Sequence, residues 1–143
     1  MSDSDQYDDP ELRAAWLSAQ RQHVTEYLKE QRVPYGSVPT EPGWDVAPYV
    51  AVWPILGASG APQYWVIVGD LPADFVSADT THSVRDAVRA FARRWETVAQ
   101  YMLRGESHPT ISIGKPSDAS DLGDLLLTRA RTLAEFADQD NLW

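Results

Sequence analysis

Three side chains suited to proton transfer stand in turn-like stretches: Asp70 and Asp74 in GDLPADF, and His108 in ESHP. Two carboxylates four residues apart, brought near an imidazole, can divide general acid and general base roles, since each group takes and gives up a proton. Asp79, His82 and Glu106 lie close by in the chain. Loops that follow strand ends are favoured places for such groups, because the elements behind them hold the loops rigid. Each residue also has a structural reading, since Asp and Ser in turns cap backbone amides, and Asp79 and Ser83 are read as caps. His82 and His108 flank one long predicted helix, whose axial rise is about 33 Å at about 1.5 Å per residue, so they are not expected to share a ligand. His23 falls between Trp16 and Tyr27 and is read as a packed histidine.

The chain has no HExxH, no phosphate-loop and no GxSxG pattern, so the common hydrolase and nucleotide motifs are unmet. It has no cysteine, which excludes thiolate nucleophiles, disulfides and Cys-ligated zinc. No metal and no cofactor are expected.

A second set of residues suits contact rather than catalysis. Six tryptophans occur in the chain, and Trp44, Tyr49 and Tyr64 cluster with Asp70 in or beside one apolar stretch. Most aromatic rings serve the core, but any left exposed form the kind of anchor that protein interfaces use. Arg85, Arg89 and Arg93 recur every four residues. With Asp86 and Glu96 alongside, they read as a solvated salt-bridge face rather than a phosphate grip.

The elements that must hold these residues follow from pattern. Asp9-Pro10-Glu11 is a helix start, with an N-cap carboxylate, a proline at the first position and an acid near the positive end. That helix is expected over 10–31, ended by Val33-Pro34-Tyr35-Gly36. Between Asp45 and Asp70 the chain carries no charge, and its length would allow a membrane span. Pro48, Pro54 and Pro62 would each interrupt a helix, whereas the β-branched and aromatic residues suit strands. A hairpin over 46–56 and 63–69 is therefore predicted, turned by GASGAP and covered on much of both faces. Pro48 and Pro54 cannot donate to a ladder, so the first arm should be an edge or bulged there. Val84, Val88, Phe91, Trp95, Val98 and Met102 then step by four and three, predicting a helix over 83–104 with Gly105 just past its end. A short third strand at 110–113 and a last helix over 120–138 complete an α+β architecture: three helices packed on a small antiparallel sheet.

At 143 residues the chain has the length of one domain, expected over 9–143 behind a disordered acidic tail at 1–8. The tail lacks the basic and apolar runs of a signal peptide, so a cytoplasmic protein is expected. A formal charge of -9 disfavours nucleic acid and anionic membrane, and favours either a basic protein partner or simply solubility, the more common reason for such a charge. Nothing in the composition sets an oligomeric state.

PYVAVWPI (48–55), WVIVGDLPADFVSA (65–78), AVRAFARRW (87–95) and YMLRGESHPTISIG (101–114) together resemble a family of small proteobacterial proteins, a domain of unknown function. The resemblance covers nearly the whole chain beyond the tail. It implies a bacterial, cytosolic, single-domain protein and brings no catalytic residue with it. The function expected is that of a non-enzymatic protein-binding module, in one form an inhibitor or immunity-type protein against a basic partner. The alternative is a small enzyme or ligand-binding domain using Asp70, Asp74 or His108.

Overall fold

The computed structural model describes residues 7–111, 113 and 119–143. Three helices, α1 (Pro10–Glu30), α2 (Val84–Leu103) and α3 (Ala119–Asp138), accompany four strands, β1 (Trp44–Val46), β2 (Val50–Leu56), β3 (Pro62–Gly69) and β4 (Asp74–Ser77). The strands form one antiparallel meander in the order β1-β2-β3-β4, so the fold is α+β. The chain divides into two compact units, one ending at Val84 and one running from Arg85 to Trp143.

In the first unit, Asp9 caps α1 by accepting from the Glu11 amide at 2.9 Å, with proline at the first helical position. The helix ends where Arg32 takes a left-handed conformation (φ 56°). Arg32 N–H then donates to the Lys29 carbonyl and Val33 N–H to that of Leu28, the paired bonds that close a helix C-terminus. Leu17, Val24 and Leu28 of α1 share a core with Val38, Ala51, Trp53, Ile55, Val66 and Val68. Seven and eleven residues separate Leu17 from the other two, so they fall on one helix face. His23 lies off that face and is exposed, which corrects its reading as a packed histidine.

The uncharged stretch is the hairpin of β2 and β3, and Val50–Trp53 and Trp65–Val68 are buried at successive positions. Its turn closes through Gly57 N–H to the Ala61 carbonyl and Gly60 N–H to that of Gly57. β2 is an inner strand, yet Pro54 sits in it. The ladder explains how. Ala51, Trp53 and Ile55 face β3, while Val52, Pro54 and Leu56 face the other way. On that side Gly43 N–H meets the Val52 carbonyl and Ser37 pairs with Leu56, and β1 itself reaches only as far as Val52. Pro54 occupies the gap, where no donor is needed.

The strand expected at 110–113 does not form at Thr110, Ile111 or Ile113, and Ser112 lies outside the described residues. The amides of Thr110 and Ile111 both turn in on the His108 ring, which removes them from any ladder. Residues 1–6 of the expected tail also lie outside the described residues. Tyr7 sits edge-on to Trp16, with ring centroids 6.4 Å apart.

In the second unit, Ala87, Val88, Phe91, Ala92, Trp95, Val98 and Ala99 form the buried stripe of α2. Among the described residues, Gly123, Leu126, Ala130, Leu133 and Ala137 are buried positions of α3. The two helices run antiparallel. Gly123 lies against Met102 and Leu103 at one end, and Arg85 and Arg89 reach the Ala137 carbonyl at the other. Gly105 (φ 73°) follows α2 as expected, its N–H on the Met102 carbonyl and that of Glu106 on Tyr101.

Candidate functional site

Two of the predicted binding residues meet at one end of the sheet. Tyr49 closes the turn between β1 and β2, its N–H donating to the Val46 carbonyl at 2.7 Å. Asp70 follows β3, and its N–H donates to the Tyr49 carbonyl at 2.9 Å. Gly69 permits this approach. Its φ is 138°, and a Cβ there would overlap the Tyr49 carbonyl oxygen and stand 2.9 Å from the Val50 Cα. Both side chains are exposed, Tyr49 at 43% of its full area. An aromatic ring and a carboxylate thus share one rim, joined through the backbone bond between their residues.

The other aromatic candidates are placed differently. Trp44, the first residue of β1, is buried at 8%. Tyr64 is half-buried and stands edge-on to Phe75, with centroids 5.8 Å apart, at the margin of the α1 core. Of the three, Tyr49 alone presents its ring broadly to solvent.

Asp74 opens β4 and is 3% exposed. Its Oδ1 accepts the Phe75 amide at 2.9 Å. In the β3–β4 ladder, Asp74, Val76 and Ala78 face β3, whereas Phe75 and Ser77 face outward. The Asp74 carboxylate therefore covers an outward amide of an edge strand, a recognised way to blunt such an edge.

His108 belongs to the second unit, in the loop after α2. Its Nδ1 accepts from the amides of Thr110 at 3.1 Å and Ile111 at 3.0 Å. Two donors on one nitrogen require a lone pair there, so the neutral ring carries its proton on Nε2. The ring stands edge-on to Tyr101, with centroids 5.1 Å apart, and the Arg104 guanidinium lies 4.7 Å over the Tyr101 ring. Glu106 pairs with Arg104 at 3.4 Å on the surface. This arrangement holds a loop to a helix end.

The arginine row also has internal work. Arg85 Nε donates to the Ala137 carbonyl at 2.8 Å, its Nη2 pairs with Asp140 at 2.7 Å, and its guanidinium lies 5.8 Å from the centre of the Trp143 ring. Arg89 reaches the same carbonyl at 3.3 Å and pairs with Asp86 at 3.6 Å. Cations on the last carbonyls of α3 meet the negative end of that helix. The closing tryptophan packs back, with its Nε1 on the Phe136 carbonyl.

One arrangement had no counterpart in the expected site. A cleft of about 370 Å³ in the first unit is lined by Arg13, Leu17, Ser18, Arg21, Thr40 and Glu41, among others. Arg13 clasps Asp45 through Nε and Nη2, and that hydrogen bond above all holds its guanidinium above the ordinary pKa. Arg21 donates to the carbonyls of Val38 and Pro39. Both cations thus tie α1 to the 38–45 segment. Arginines spaced eight apart on one helix face were the only signal of this in the chain. Among the described residues, no group of His, Asp and Glu has the arrangement of a metal site, and no helix is long and apolar enough to cross a membrane.

A family model described as a domain of unknown function, DUF4826, matches residues 10–143. No curated protein and no solved structure matches the chain.

Proposed function

The chain belongs to the DUF4826 family, and from that premise we propose that it is a protein-binding module whose contact face is the Tyr49–Asp70 rim. The observation that carries the reading is the exposed aromatic ring beside an exposed carboxylate, both set by the Asp70–Tyr49 backbone bond. A rigid tyrosine offers large contact area at little entropic cost, which is why interfaces favour it.

Charge supports a basic partner. No lysine or arginine occurs between Arg32 and Arg85, while Glu41, Asp45, Asp70, Asp74 and Asp79 all fall there. A basic surface approaching the sheet meets no like charge from the strands or their turns, which speeds encounter and favours that class of partner. An inhibitor or immunity-type role is one form this takes. On the resemblance of its sequence blocks, the proposed setting is the proteobacterial cytoplasm. The enzyme reading draws less support, because Asp74 and His108 each have a ring or carboxylate atom committed to neighbouring amides.

Capture from a source-cell lysate on the immobilised chain tests the proposal when wild type is compared with Tyr49→Ala and Asp70→Lys. The expected result is a basic protein retained by wild type and lost from both variants, with melting temperatures unchanged. Identical retention by all three would overturn it.

A further inference from the structure

We propose that β4 accepts an extended basic segment of the partner as a fifth strand, an inference that rests on the protein-binding reading above. The sheet has two edges, and they are not equivalent. On the β1 edge, Asp45 is clasped by Arg13 of α1, so a helix side chain already reaches across it. The β4 edge is more open. Phe75, Val76 and Ser77 are half-buried, and ladder alternation turns the backbone groups of Phe75 and Ser77 outward. The Phe75 amide is covered by Asp74. For the Phe75 carbonyl and for the N–H and C=O of Ser77, no outward backbone partner exists among the described residues.

Ser77 therefore offers a donor and an acceptor side by side, the pair that an added strand engages. The strand is held flat from behind, since Phe75 packs edge-on against both Tyr27 and Tyr64. Charge selects the occupant. Asp70 precedes β4 and Asp79 follows it, both exposed, and no cation lies in the strand or its flanking turns. A segment of about 13 Å covers four residues of strand. Basic side chains at or just beyond its ends would meet the two carboxylates. Asp70 also adjoins Tyr49, so the edge continues the rim already described.

The probe is a labelled ten-residue peptide of alternating lysine and valine, added to the full chain. Its comparator has the same sequence and charge but is N-methylated at the four central residues, so it cannot pair. Fluorescence anisotropy should give binding at least tenfold weaker for the methylated peptide, and none for a glutamate–valine peptide. Hydrogen exchange of the Ser77 amide should slow at least tenfold with the unmodified peptide. Equal binding of the two lysine peptides, an unchanged Ser77 amide, or no binding of either would overturn strand addition. Capture by Tyr49, read separately with Tyr49→Ala, would stand or fall on its own, so the two readings fail distinguishably.

Discussion

The Asp70 amide donates to the Tyr49 carbonyl at 2.9 Å, and this one bond joins two turns that are separated by the whole β2–β3 hairpin. It carries the exposed ring of Tyr49 and the exposed carboxylate of Asp70 to one rim. The proposed contact face depends on that juxtaposition.

Its most sensitive support is Gly69. A methyl group there would overlap the Tyr49 carbonyl and force a left-handed backbone on a residue with a Cβ. Gly69→Ala should therefore cost about 3 kcal/mol, in the range of strained or overpacked positions. Urea unfolding reads this directly, and a loss below about 1 kcal/mol would show that the turns approach less closely than described.

Arg32 is the opposite case. It holds φ 56° at the end of α1, a conformation that costs a side-chain-bearing residue about 1–2 kcal/mol. Arg32→Gly removes that strain, though glycine adds freedom to the unfolded chain. The net expectation is a gain of about 0.5–1 kcal/mol, seen as a higher melting temperature. A lower melting temperature would contradict it.

The two amides on His108 Nδ1 fix a tautomer. Long-range nitrogen–proton NMR at neutral pH should find the proton on Nε2 and none on Nδ1. His108→Phe, which keeps a ring for Tyr101, should still lose about 1–2 kcal/mol as the amides lose their acceptor. A proton on Nδ1 would return His108 to the list of groups free for chemistry.

Much of the frame was legible because it rests on local signals. Asp9-Pro10 marked the start of α1, the four-and-three stepping from Val84 marked α2, and three prolines argued the apolar stretch into a hairpin. β1 and β4 were not legible. Each is three or four residues long and adjoins a turn, so GDLPADF read as a loop while its second half pairs with β3. His23 was misplaced because alanines at 14, 15 and 19 blur the apolar stripe of α1. The binding face was half legible. The aromatic residues and Asp70 were recognisable by type, but successive buried positions in β2 and β3 erase the alternation that would separate inner from outer rings. Which of Trp44, Tyr49 and Tyr64 stays exposed is settled by packing. The arginine row stood out by its spacing, yet its attachment to Ala137 needs the antiparallel return of α3.

The most direct measurement of the Tyr49 contact places a photo-crosslinking phenylalanine analogue at position 49 in the source cells. Leu12 and Leu125, which are also exposed, serve as control positions. A discrete adduct with a basic protein is expected from position 49, absent from both controls and abolished by Asp70→Lys. The same adducts from all three positions, or none from position 49, would contradict it.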